Sequence, residues 1–141
     1  MVFRKEPVDV HHEVMNYLSE ALTEWKFKVE QEPRFGTVRP DVVAFDTDGA
    51  AYVFEVKTSE HQGHLGAIGQ LEAYKRTLEE LGHKTTAVLL TSDEAPGQLK
   101  EVAREAGVVV LGGFDNKQRA LQELLSESFQ SGILSTGANS T

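Results

Sequence analysis

Asp41, Glu55 and Lys57 are the residues whose types and spacing could do chemistry together. Asp41 closes the run Arg39-Pro40-Asp41, and Glu55-Val56-Lys57 follows beyond Asp46-Thr47-Asp48-Gly49. An Asp-Gly pair between two β-rich runs is a hairpin signal. A three-residue loop, Thr47-Asp48-Gly49, places glycine where such loops need a left-handed backbone. That register pairs Asp46 with Ala50, Val43 with Val53, and Asp41 with Glu55. Carboxylates opposite on neighbouring strands stand about 4.5–5.5 Å apart at Cβ, and like charges there are destabilising. Lys57, two residues past Glu55, emerges on the same face and relieves part of the repulsion. A divalent cation relieves it more fully, because hard oxygen donors suit Mg²⁺ or Mn²⁺. A two-residue Asp48-Gly49 loop instead puts Asp41 and Glu55 on opposite faces, and the site vanishes. Asp41 is then a strand-entry residue, with Glu55 and Lys57 on a solvated face. Val53 shares the face of Glu55, however, and Tyr52, Phe54 and Val56 line the other, so neither face reads as fully wet.

Other chemistries find less support. The chain has no cysteine, which removes disulfides, thiolate zinc sites and cysteine nucleophiles. Five histidines are present, but His11-His12 and His61-x-x-His64 lack a zinc-site spacing, and neighbouring His11 and His12 diverge on a helix. His61, His64 and Arg76 are placed only loosely, beside whatever the carboxylates act on. Gly63, Gly66 and Gly69 read as loop or helix-entry glycines, with no G-x-x-x-x-G-K-[ST] phosphate loop.

The elements that must position the trio follow from periodicity. Asp9 to Trp25 reads as a helix capped by Asp9, with Val10, Val14, Tyr17, Leu18, Ala21, Leu22 and Trp25 recurring along it. Phe27–Gln31, Arg39–Phe45 and Ala51–Lys57 read as strands, and Thr58–Gly66 as a loop. Ile68–Leu81 is a helix with Leu71, Tyr74, Leu78 and Leu81 in one stripe and Gly82 as its stop. A strand at Thr86–Thr91, a helix from about Pro96 to Ala106 and a strand at Val108–Leu111 come next. A last helix carries Ala120, Leu121, Leu124, Leu125 and Phe129 and either packs on its own sheet, the favoured reading, or forms a dimer face. The order α-β-β-β-α-β-α-β-α implies an α/β domain, a mixed central β-sheet flanked by helices on both faces. The expected organisation is one domain over 1–130 and a flexible tail over 131–141.

The 141 residues, 40% of them hydrophobic, suit a single core. No signal peptide or bilayer-length apolar run is apparent, so a soluble, cytoplasmic protein is expected. The net charge of −8 argues against a module that coats nucleic acid through Lys and Arg alone, and leaves a metal-assisted enzyme open.

The combination Arg39-Pro40-Asp41, hairpin, Glu55-Val56-Lys57 resembles the signature of the PD-(D/E)XK nucleases. The flanking order over about Asp9 to Thr91 resembles their restriction-endonuclease-like core. Gln70-Leu71-Glu72-Ala73-Tyr74 is similar to the Q-x-x-x-Y motif of the exonuclease and recombination branch. The resemblance implies phosphodiester hydrolysis with one or two Mg²⁺ or Mn²⁺ ions held by Asp41, Glu55 and the backbone carbonyl of Val56. Lys57 would orient or activate the attacking water, and Gln70 and Tyr74 would hold the lysine and the nucleic-acid backbone. Tyr74 also fits the apolar stripe of its helix. Many family members add a first-helix glutamate to the metal site; Glu13 fits that role, with Glu20 and Glu24 at similar angles.

Three functions are weighed. The first is a metal-dependent nuclease, with DNA favoured over RNA, in a repair, recombination, phage or restriction setting. A chain with little beyond the core implies structure-selective or end-directed activity, or a homodimer or partner protein that supplies specificity. Holliday junction resolvases are comparably small, but typically lack the strand–helix–strand over Thr86–Leu111. The second is a catalytically inactive domain of the same fold, serving as a nucleic-acid- or protein-binding subunit. The third is an unrelated α/β protein with a small ligand at the sheet edge, in which Asp41, Glu55 and Lys57 do not cluster.

Overall fold

The computed structural model describes residues 7–58 and 64–134, with residues 7–9 by backbone alone. His61, Gly63 and most of the expected tail lie outside the described residues. Among the described residues, four helices and five strands follow the expected order: α1 Pro7–Glu24, β1 Lys28–Gln31, β2 Val42–Phe45, β3 Ala51–Lys57, α2 His64–Glu80, β4 Thr85–Thr91, α3 Gly97–Glu105, β5 Val108–Gly112 and α4 Gln118–Gln130.

The sheet runs β1-β2-β3-β4-β5. β1, β2 and β3 form an antiparallel meander, whereas β3, β4 and β5 are parallel. Parallel neighbours need crossovers, and α2 and α3 supply them. Both lie on one face, where Ile68, Leu71, Leu78, Leu99 and Ala103 pack on Val43, Val53, Ala87 and Leu89. α1 and α4 cover the other, with Val14, Leu18, Leu22, Leu121 and Leu125 against Val42, Phe54, Val56, Val88 and Leu90. The last helix thus packs on its own core. β4 is buried along its whole length and β3 along all but Lys57, so an ionisable group on β3 is held away from water.

The hairpin takes the three-residue loop. Val43 pairs with Val53 and Phe45 with Ala51, the register that sets Asp41 opposite Glu55. Gly49 supplies the left-handed position at φ +84°. Asp46 fixes the turn, its carboxylate accepting from the amides of Asp48 and Ala50 at 2.9 Å each.

Three boundaries differ from the sequence-based expectation by more than one residue. α1 begins at Pro7, so Asp9 lies inside the first turn and does not cap it. α2 begins at His64 rather than Ile68, drawing Gly66 into a helix that was already expected to hold Gly69. Both glycines face open space while Ala67, Ile68 and Leu71 are buried, so burial of one face outweighs the roughly 1 kcal/mol helix cost of each glycine. The second strand starts at Val42, because Pro40 has no amide to donate and the amide of Asp41 is taken by a side chain.

Candidate active centre

The strand directions bring the starts of β2, α1 and α2 to the carboxyl ends of β3, β4 and β5. Open α/β sheets place ligands at that end. β2 stops pairing at Val42, so the backbone of β3 beyond Phe54 has no strand partner on that side. Two side chains take its place. The Asp41 carboxylate accepts from the amide of Val56 at 2.8 Å, and the Glu55 carboxylate accepts from the amide of Asp41 at 3.0 Å. Each acidic group is thus pinned by a backbone N–H from the other's segment, and the two are held together in spite of their like charge.

Glu55 is only 6% exposed, one of few charged groups in the core. Burial pushes its carboxyl up, and the neighbouring Asp41 pushes it further. The Asp41 amide and the attraction of Lys57 and His11 offset part of this, leaving Glu55 at about 7. Near neutral pH the group therefore exchanges a proton easily, where an ordinary glutamate is ionised throughout. Lys57 is half-buried at the end of β3 and makes no ion pair with the described residues.

Tyr74 joins the centre from α2. It is 7% exposed, packs with Leu71 and Leu78, and lies close enough to Glu55 and Asp41 to feel both charges. Burial, followed by the charges of Glu55 and Asp41, pushes its hydroxyl up to about 12, so it stays a proton donor. The packing role read from the sequence holds, and the side chain lies beside Glu55. Gln70, one helical turn earlier, is exposed and makes no hydrogen bond with the described residues.

Sequence reasoning missed His11. Its Nε2 lies 3.2 Å from Asp41 Oδ2. That hydrogen bond raises its pKa against the effect of burial, helped by the Asp41 charge and a backbone hydrogen bond at Val56. The Val56 amide already donates to Asp41, so the carbonyl is the group left to accept from an imidazole N–H. His11 thereby bridges two of the three oxygens expected to face a cation. The missed signal was periodicity: Val14, Met15, Leu18 and Leu22 are fully buried, and stepping that stripe back one turn lands on His11. Glu13 is half-buried two residues further on, about 200° around the helix from His11. Glu20 instead accepts from Gln118 of α4 at 3.1 Å, and Glu24 is exposed.

Among the described residues, no three His, Cys, Asp or Glu side chains group as a metal site. The available set is the two carboxylates and the Val56 carbonyl. These are hard oxygens around a buried like-charge pair, and they fit Mg²⁺ or Mn²⁺ better than a thiophilic metal.

A meander followed by two parallel crossover units, with the acidic pair at the end of the central hairpin, is a fold this chain shares with solved structures that include endonucleases. EndoMS in an EndoMS–dsDNA2 complex superposes at TM-score 0.57 with 22% identity, over 79% of this chain and 48% of EndoMS. A repair endonuclease from Pyrococcus abyssi superposes at 0.56 with 22% identity, over 77% of this chain and 48% of that one. AF1548, a protein of unknown function, reaches 0.59 with 20% identity, over 83% of this chain and 67% of AF1548. The chain thus spans about half the length of the first two. No protein-family model and no curated protein matches the chain by sequence. No helix among the described residues is long and apolar enough to cross a membrane.

Proposed function

We propose that this domain is a divalent-metal-dependent nuclease that hydrolyses phosphodiester bonds, with DNA as the favoured substrate. The observation that carries the reading is the cross-braced Asp41–Glu55 pair on a buried central strand. Folding two carboxylates against each other, with one pushed to about 7, is costly unless the pair has a cation to hold. Asp41, Glu55 and the Val56 carbonyl would hold one or two ions, which when bound would polarise the scissile phosphate and lower the pKa of a water.

The chain's own residues do the rest. Lys57 stands beside Glu55 with its ammonium uncommitted, able to orient the attacking water and offset charge building on the phosphate. Tyr74 would donate to Glu55 and hold that carboxylate in place. His11 holds Asp41 until a cation displaces it. Gln70, exposed one turn before Tyr74, is free to meet the nucleic-acid backbone. The likeness to repair endonucleases favours DNA over RNA and a repair setting. Incubation of the purified protein with plasmid, linear and branched DNA, with and without Mn²⁺, tests this. Metal-dependent cleavage is expected; intact DNA in all arms would refute it.

A binding subunit of the same fold is the second reading, favoured by the net charge of −8 and by the protein partners that already satisfy Asp41. Titration calorimetry separates the two. A nuclease takes up Mn²⁺ and loses that uptake in Asp41→Asn; a binding module takes up none.

A further inference from the structure

The rim around the active centre is unevenly charged. On one side, the 32–41 segment joins β1 to β2 and ends at Asp41 itself. It is a small folded hairpin: the Glu32 amide donates to the Asp41 carbonyl at 2.8 Å, and Phe35 and Val38 exchange backbone hydrogen bonds at 3.0 and 3.1 Å. Phe35 and Val38 pack against the core cluster beneath α2, which fixes the hairpin to the domain. Its outward residues are Arg34, Gly36, Thr37 and Arg39, all at least partly exposed. Arg34 makes no ion pair with the described residues. Arg39 meets Glu32 at 3.1 Å, but both ends are largely in water, and such a pair exchanges readily for a stronger anion.

The opposite rim, beyond β4 and β5, carries Asp93, Glu94 and Asp115. Lys100 stands 3.5 Å from Glu94 and Lys117 3.6 Å from Asp115, likewise exposed pairs that leave this rim with one acid in excess. A polyanion approaching Lys57 meets a cationic excess on the β1–β2 side, Arg34 and Arg39 against Glu32, and an acidic excess on the β4–β5 side. A chain of net charge −8 cannot attract DNA as a whole, so local placement of cations decides where the backbone lies.

We propose that the β1–β2 hairpin, through Arg34 and Arg39, grips the phosphate backbone of the nucleic acid beside the Asp41–Glu55–Lys57 centre, so that the substrate runs over that side and away from β4 and β5. This rests on the nuclease reading and adds the direction of the substrate to it. Guanidinium forks suit phosphate oxygens, and a rigid hairpin tied to Asp41 keeps grip and scissile bond in register.

The test compares wild type, Arg34→Ala/Arg39→Ala and a control, Lys100→Ala/Arg104→Ala, which removes equal charge from α3. Cleavage of a linear duplex in Mn²⁺ is followed across a salt series, with anisotropy of a labelled duplex in metal-free buffer alongside. The hairpin variant is expected to raise KM by about tenfold per lost contact at about 0.1 M salt, with kcat within about twofold. Its log–log salt dependence should be shallower by about 1.8, or about 0.9 per phosphate contact, and the control should match wild type. Unchanged KM and salt slope in a hairpin variant that melts like wild type would overturn the grip while leaving the nuclease reading intact. Should the double variant not fold, Arg34→Glu alone is held to the same comparison. Wild type that binds duplex without cleaving it refutes the nuclease reading alone; the grip then stands if the hairpin variant loses binding slope. Wild type that neither binds nor cleaves refutes both.

Discussion

Replacing Glu55 with glutamine should make the metal-free protein more stable and abolish its proposed activity. Glu55 is 6% exposed, and its carboxyl is raised from 4.5 to about 7 by burial and by Asp41. A raised carboxylate contributes full stability below its unfolded pKa and loses it as pH climbs through the folded value. For Glu55 the loss spans about pH 4.5 to 7 and amounts to roughly 3 kcal/mol, at about 1.36 kcal/mol per unit. The glutamine side chain would carry no charge at any pH, and its carbonyl oxygen can still accept from the Asp41 amide. Glu55→Gln should therefore match wild type near pH 4.5 and exceed it by up to roughly 3 kcal/mol above pH 7. For a domain of this size that is a rise in Tm of about 10 °C. Thermal melts in EDTA at pH 5, 6, 7 and 8 read it directly. Mn²⁺ at about one thousand times Kd should invert the order, since wild type alone then gains about 4.1 kcal/mol. A variant less stable than wild type at pH 8, or a difference constant between pH 5 and 8, would refute this origin of the Glu55 shift.

Three further outcomes follow from the same contacts. His11 should titrate above 6.5 in an NMR pH series, because its bond to Asp41 stabilises the imidazolium. That bond contributes stability at acid pH which fades as pH rises past His11's midpoint, so His11→Ala should be costlier at pH 6 than at pH 8; the reverse order would contradict the contact. Tyr74→Phe removes the hydroxyl beside Glu55. A donor to a charged acceptor is worth about 1.5 kcal/mol, so a Tyr74 that serves Glu55 predicts an acid limb of the cleavage profile moved up by about one pH unit; an unmoved limb leaves Tyr74 a packing residue. Gly49→Ala places a side chain at φ +84° with nothing within 4 Å of its Cβ, so the cost is conformational, about 1 kcal/mol in urea unfolding, without loss of activity.

The site was legible where local rules act and opaque where packing decides. Asp48-Gly49 between alternating strands announced the hairpin, and Pro40-Asp41 favoured the register that opposes Asp41 to Glu55. That Glu55 would turn its carboxylate to the Asp41 amide could not be read, because it depends on β2 starting at Val42 rather than at Arg39. His11 was passed over because adjacent histidines offer no ligand spacing, whereas its contact with Asp41 spans thirty residues and comes from the placement of α1. The start of α2 was misplaced for a related reason. Gly66 argues locally for a loop, and the burial of Ala67, Ile68 and Leu71 overrules it. Tyr74 was ambiguous in sequence because one side chain packs in the core and lies beside Glu55 at once.

Whether Asp41, Glu55 and Lys57 form a metal-dependent phosphodiesterase centre is tested most directly by single-turnover cleavage of plasmid DNA in Mn²⁺, with wild type and Lys57→Ala side by side. Wild type should cleave, and EDTA should stop it. Lys57→Ala should lose at least about a hundredfold in rate with Mn²⁺ uptake retained. Metal-dependent cleavage that survives Lys57→Ala would contradict the proposed centre.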